Sequence, residues 1–271
     1  MTNQIPDFSA NVERFSGFAD LYDRYRPAPP EVLAGLLSRL ALVEVPQLVV
    51  DLGCGTGLST RYWAAKAHQV VGVDPSADMR RMAASQTSAA NVRYCGGLSH
   101  QTGLPTACAD IVTSSQALHW MVPQATFAEA ARILRPGGVF AAYDYDWPPA
   151  TGFWEADQAY SECWERLQAL EREADLSSAV VRWGKEGHLA RMQASGCFRY
   201  THEFVLHHIE PGSAERLVGL LLSQGGVMTL LKAGRGEGSL GIDRFRETVK
   251  RLLGQGEHTW VWSSRVRIGI V

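Results

Sequence analysis

The sequence predicts an α/β protein: a doubly wound, mostly parallel seven-stranded sheet with an antiparallel last strand and a helical cap inserted near the C-terminus. Three observations carry this. From residue 48 to 143, short apolar runs alternate with stretches of helical periodicity, the pattern of parallel strands buried on both faces. The first run ends in an acid followed by three alternating glycines, Asp51-Leu52-Gly53-Cys54-Gly55-Thr56-Gly57, a sharp strand-to-helix turn. The chain then closes on a period-2 segment, Thr259 to Val271, with Trp260, Trp262, Val266, Ile268 and Ile270 on one parity.

The elements follow in order. Residues 1–27 are polar and aromatic with little periodicity and read as an arm before the main domain. Pro27, Pro29 and Pro30 open a helix whose apolar stripe is Val32, Leu33, Leu36, Leu37 and Leu40. Strands are expected at 48–52, 70–73, 92–95, 111–114 and 139–143, with helices at 58–66, from Ser76 as N-cap to about 84, and at 126–134. After Trp147 the spacing predicts helices over 152–172 and 178–194, a strand over 198–209, and helices over 212–254 interrupted by Gly234–Gly241. The organisation is thus an arm or lid (1–27), a core (28–147), and C-terminal helices, late strands and cap of the same domain (148–271).

Bulk properties exclude several classes. The chain has 271 residues, 46% of them hydrophobic, enough for a sizeable core. A net charge of −2 leaves no broad basic field, so a nucleic-acid partner is not expected. Cys54, Cys95, Cys108, Cys163 and Cys197 are scattered without a C-x-x-C pair, which fits reduced thiols and a cytoplasmic location and argues against a disulfide framework or zinc site. No run approaches the length needed to span a membrane. His202, His207 and His208 have no partnering ligand cluster, so no metal is expected.

Chemistry concentrates in the first half. Glycines at 53, 55 and 57 let a ligand lie against the backbone, and the helix they open points its N–H groups toward that ligand. A dinucleotide fingerprint needs glycine at 58, where Leu58 stands. A second acid, Asp74, ends the second strand roughly 20 residues after the first glycine, the position from which a carboxylate grips vicinal ribose hydroxyls.

The spacing Asp51-x-Gly53-x-Gly55-x-Gly57 resembles motif I of class I S-adenosylmethionine-dependent methyltransferases, which have a Rossmann-like fold. The arm sequence 18–27 (FADLYDRYRP), Gln116-Ala117-Leu118-His119-Trp120 and Leu134-Arg135-Pro136-Gly137-Gly138 are similar to segments of the small-molecule branch that includes trans-aconitate and ubiquinone-type enzymes. The resemblance implies S-adenosyl-L-methionine as cofactor and S-adenosyl-L-homocysteine as product. It places Asp51 near the cofactor's ammonium, Gly53, Cys54, Gly55 and Gly57 along its methionine part, and Asp74 with Pro75 at its ribose. Met79 would lie on the adenine, Ser99 and His100 beside it, Ser115 and Gln116 flanking the cofactor, and Arg26 at its carboxylate. Where the family usually carries an acid near the adenine amine, this chain has Gly97-Leu98-Ser99-His100-Gln101. Tyr22, Trp120, Tyr145 and Trp147 are expected as substrate-pocket walls and His119 as a candidate base, with packing as its alternative.

The expected reaction is methyl transfer to a small-molecule acceptor by a monomer or homodimer. Two rivals stand beside it: a non-catalytic binding or regulatory protein on the same fold, and a nicotinamide oxidoreductase, which Leu58 opposes. Asp146-Trp147-Pro148-Pro149 resembles an amino-methylating motif with Trp inserted, but follows the fifth strand rather than the fourth and reads as a loop or pocket wall.

Overall fold

A computed structural model describes residues 9–14 and 19–271. Seven strands form one sheet: β1 (Leu48–Leu52), β2 (Gln69–Asp74), β3 (Val92–Gly96), β4 (Ala109–Ser115), β5 (Leu134–Tyr145), β6 (Tyr200–Gly212) and β7 (His258–Ile270). Their order is β3-β2-β1-β4-β5-β7-β6. The first five run parallel, and β7 lies antiparallel to both β5 and β6. Strand order reverses between β1 and β4, so a crevice opens at their carboxyl ends, where open α/β sheets take ligands.

The helices are α1 (Ser9–Arg14), α2 (Ala19–Tyr25), α3 (Val32–Leu40), α4 (Leu58–Trp63), α5 (Ala77–Ser85), α6 (Pro123–Ile133), α7 (Trp154–Glu173), α8 (His188–Ala194), α9 (Ala214–Leu222), α10 (Gly225–Lys232), α11 (Glu237–Leu240) and α12 (Ile242–Leu253). Alternate residues of each central strand feed opposite faces. Val49, Val70, Ile111, Val139 and Ala141 pack with Leu33, Leu37 and Trp63 on one side. Val50, Val71, Val112, Phe140 and Ala142 pack with Phe127, Ile133 and Met192 on the other. A third cluster builds the cap from α7, α9, α10 and α12 against Tyr145, Trp260 and Trp262.

The expected architecture is found, with local differences. Val32 is 60% exposed, because the buried stripe of α3 is Leu33, Ala34, Leu37 and Ser38. Of the helix expected over 178–194, only Lys185–Gly187 (a single 3₁₀ turn) and α8 are helical. The preceding loop spends its polar groups elsewhere: the Val181 N–H and C=O meet the Asn11 amide at 3.0 and 2.7 Å, and the Trp183 N–H donates to the His119 carbonyl at 2.8 Å. A helix would forfeit those bonds.

The arm runs from cap to core. Tyr25 seats its ring against Gly219 of α9, where a Cβ would come within 2.4 Å of it. Asp23 of α2 accepts from Thr56 Oγ1 at 2.8 Å and Arg61 Nη2 at 2.6 Å, tying the arm to the glycine turn. No helix among the described residues is long and apolar enough to cross a membrane.

Candidate active site

A cleft of about 1240 Å³, with the open solvent at its mouth included, lies over the carboxyl ends of β1, β2 and β4. It gathers Asp51, Gly53, Cys54, Gly55, Asp74, Pro75, Met79, Ser99, His100, Ser115 and Gln116 from the core, Tyr22 and Arg26 from the arm, and Trp120 and Tyr145.

The glycine turn is built by φ and by crowding. Gly53, Gly55 and Gly57 have φ of +67°, +52° and +83°, values L side chains rarely adopt. A Cβ on Gly53 would stand 2.6 Å from Met121 Cε, so this glycine admits the protein's own α6-side loop. A Cβ on Gly55 would meet nothing within 4 Å, and that residue faces the cleft. At Gly55 the positive φ alone calls for glycine and the cleft is open beside it, whereas at Gly53 packing adds to the φ requirement.

Two carboxylates flank the turn. Asp51 is fully buried; its oxygens accept from Thr60 Oγ1 at 2.7 Å and Thr113 Oγ1 at 2.9 Å. Burial pushes its carboxyl up to about 6, and the two hydroxyl bonds oppose that only in part. Asp74 ends β2, where its carboxylate accepts from the Ser76 N–H at 2.9 Å and the Gly55 N–H at 3.0 Å. Burial raises it too, while those N–H bonds and Arg80 lower it. Asp74 thus shapes the turn as well as facing the cleft, a role its position in the sequence does not announce.

The opposite wall follows β4. Gln116, at φ +51°, donates its N–H to the Tyr143 carbonyl, and its Oε1 accepts from Lys185 Nζ at 2.9 Å. Ser99 Oγ pairs with Thr126 Oγ1 at 2.8 Å, and Met79 is nearly buried in the floor. At the cap end, the Tyr145 hydroxyl donates to the Pro27 carbonyl at 2.8 Å, and burial holds this phenol well above its ordinary value.

Three expected site residues stand elsewhere: the wall residue Trp147, the candidate base His119, and Gly57, which does not line the cleft and where a Cβ would come within 2.4 Å of the Tyr94 hydroxyl. Trp147 lies behind Arg26, stacked on Tyr160 at 6.4 Å between ring centres and edge-on to Trp262. His119 is 4% exposed and does not line the cleft; its Nδ1 is 3.7 Å from Asp144 Oδ1. Burial, then the cations Lys185 and Arg182, drive its imidazole well below 6.5. Arg26, expected at the cofactor's carboxylate, lines the cleft while bonded to the cap through Ser223. Phe15 and Phe18 of the arm lie outside the described residues. The cleft also takes Asn11, Ser59, Met121 and Val122, which no motif singled out; Asn11 belongs to the arm and reaches the cleft on α1. Among the described residues no cluster of ligands fits a metal ion.

The groups fit S-adenosylmethionine: an open glycine turn, a buried carboxylate with no cation partner among the described residues, and a second acid at the next strand end. Residues 50–142 match the methyltransferase domain family model. A malonyl-[acyl-carrier protein] O-methyltransferase of Pectobacterium atrosepticum is 33% identical over 165 residues, 60% of this chain and 61% of that protein. The chain thus spans about three-fifths of the length of that relative. Two solved structures share the fold. A type II methyltransferase, described as putative, from Anaeromyxobacter dehalogenans has a TM-score of 0.65 at 23% identity, over 91% of this chain and 98% of its own. The [4+2]-cyclase SpnF has a TM-score of 0.51 at 15% identity, over 94% of each chain. The segment that carries the glycine turn and both acids, within residues 50–142, is therefore similar to methyltransferase domains, and the chain shares the fold of the two solved structures.

Proposed function

We propose that this protein transfers a methyl group from S-adenosylmethionine to a small-molecule acceptor. The observation that carries the reading is the pair of strand-end carboxylates, Asp51 and Asp74, on either side of the Gly55 opening in one cleft. In this reading Asp51 meets the cofactor's ammonium, Gly53 to Gly55 support its methionine part, and Asp74 holds the ribose diol. Met79, Ser99 and His100 border the adenine, and Ser115 and Gln116 the centre. S-adenosylmethionine supplies a methyl group on a sulfonium, already a good leaving group. The chain's own part is to align the acceptor in line with the C–S bond and exclude water, for which alignment alone contributes roughly 7–11 kcal/mol. The nucleophile gains the methyl, the C–S pair returns to sulfur, and a proton leaves only if the nucleophile arrives protonated.

The arm (residues 1–27) acts as a lid in this reading. Tyr22 and Arg26 reach the cleft from it, and Asp23 couples it to the glycine turn. The protein works as a monomer or homodimer in the cytoplasm, without nucleic acid. Calorimetry tests the cofactor: S-adenosylmethionine and S-adenosylhomocysteine bind and NAD does not, and the reverse result removes the reading. A screen of acceptors with methyl-labelled cofactor tests turnover. A second reading, a fold that binds the cofactor without using its methyl, is favoured by one fact, that a neighbour of this fold is named as a cyclase. Binding without any labelled product across the screen supports it.

A further inference from the structure

The acceptor end of the cleft holds a buried cation without an anion. Arg26 is 8% exposed. Its guanidinium lies between two aromatic faces, 4.7 Å from the Tyr22 ring centre and 4.7 Å from that of Trp147. Nε donates to Ser223 Oγ at 2.9 Å and Nη2 to the Ser223 carbonyl at 2.8 Å, both neutral acceptors. Among the described residues no carboxylate pairs with it, and Nη1 has no hydrogen bond. Burying a charge away from water is costly unless it is paired, so such a cation on a cleft wall calls for an anionic ligand.

The neighbours add positive charge. Arg14 and Arg182 stand over the Trp120 ring at 5.8 and 5.3 Å, and Trp120 lines the same cleft. Glu171 neutralises Arg14, while Arg182 has no carboxylate partner among the described residues. Asp144 is already shared between Lys185 at 2.8 Å and Arg267 at 2.9 Å. The chain as a whole is slightly acidic, so this local excess is a property of the site. The acids of the cleft, Asp51 and Asp74, stand at strand ends with their own hydroxyl and N–H donors. The cap-side walls are aromatic.

We infer that the acceptor is an organic carboxylate on an apolar body, and that Arg26, rather than meeting the cofactor, is the residue that selects it. The inference rests on the methyltransferase reading. Ser223 fixes the guanidinium from behind, the Tyr22 and Trp147 rings hold its plane, and Nη1 is left to meet a carboxylate oxygen. The aromatic walls take the apolar body. The same positive field rejects ammonium-bearing acceptors, which also accounts for an imidazole at His119 that burial and these cations keep neutral.

The test uses the full-length protein saturated with S-adenosylhomocysteine and two matched probe pairs, 3-phenylpropanoate with 3-phenylpropanamide and hexanoate with hexanamide, followed by calorimetry. The acids are expected to bind at least tenfold more tightly than the amides. Arg26→Met abolishes that preference, Arg26→Lys retains part of it, and both keep S-adenosylhomocysteine affinity within twofold. Equal binding of acids and amides by the wild-type protein, or no binding of any of the four, overturns the inference without any variant. A tenfold loss of S-adenosylhomocysteine affinity in Arg26→Met also overturns it, by moving Arg26 to the cofactor. Both results leave the methyltransferase reading intact. That reading fails on a different outcome, the absence of S-adenosylmethionine and S-adenosylhomocysteine binding by the wild-type protein.

Discussion

Asp144, near the carboxyl end of β5, accepts a hydrogen bond from Arg267 of β7 at 2.9 Å with both side chains almost wholly buried. Arg267 Nε also meets Glu203 of β6 at 2.7 Å. One guanidinium thus links the three strands that complete the sheet. Removing Arg267 leaves the buried Asp144 to Lys185 and Glu203 to Arg265, each acid with one cation fewer. Arg267→Met is expected to cost about 3–5 kcal/mol in urea unfolding. Asp144→Asn in the same background should return part of that loss; purely additive losses would show that the pair is uncoupled.

Cofactor affinity should depend on pH through Asp51. Its folded value, about 6, lies above the 3.8 of an ordinary Asp carboxyl, so the folded protein without ligand binds this proton more tightly than the unfolded chain does. The resulting stability is complete below about pH 4 and is lost as pH rises through 6. A ligand ammonium reverses the preference by favouring the ionised carboxylate. S-adenosylhomocysteine affinity is therefore expected to weaken as pH falls from 7 to 5, with proton release on binding near pH 6 seen as a buffer-dependent enthalpy. Asp51→Asn should remove both effects.

Asp74→Ala should weaken cofactor binding by about 1.5–3 kcal/mol, the range for hydrogen bonds to a charged acceptor. The Gly55 and Ser76 N–H groups lose their acceptor at the same time, so the unliganded protein is also expected to lose about 1 kcal/mol or more. Thermal unfolding of the variant without ligand measures this second effect. A dissociation constant equal to that of the wild type would remove Asp74 from the ribose site.

His119→Ala should behave as a packing change. The imidazole is buried behind the wall, tilted against Trp120 at 4.6 Å between ring centres, and stays neutral across the usual assay range. A loss of about 2–4 kcal/mol of stability is expected from the cavity. The pH–rate profile should keep its shape between pH 6 and 8. A limb near 6–7 that disappears in the variant would make His119 a base after all.

Asp23→Ala should loosen the arm. It removes the acceptor of Thr56 Oγ1 and Arg61 Nη2 while leaving Asn11 on Val181 and Arg14 on Glu171. Protease cleavage within residues 1–27 is expected to speed up, and added S-adenosylhomocysteine to slow it in the wild type more than in the variant. Cleavage that ignores ligand in both proteins would separate the arm from the cleft.

By itself the sequence determined whatever depends on neighbours along the chain. The strand runs, the turn Asp51 to Gly57 and the acid Asp74 were legible because strand periodicity, positive φ at glycine and the spacing of a βα unit are local properties. The late strand was legible for the same reason, since its tryptophans alternate. Tertiary structure decided what depends on elements far apart. Arg26 meets Ser223 across 197 positions, and Asn11 meets Val181 across 170. Those contacts brought arm residues Tyr22 and Arg26 to the cleft wall, held residues 178–184 out of a helix, and set a cation on that wall. His119 and Trp147 were withdrawn from the cleft by the same cause. A side chain's type fixes what it is able to bond, while its burial and its partners, and hence its charge and its reach, are fixed only when the cap closes over the sheet.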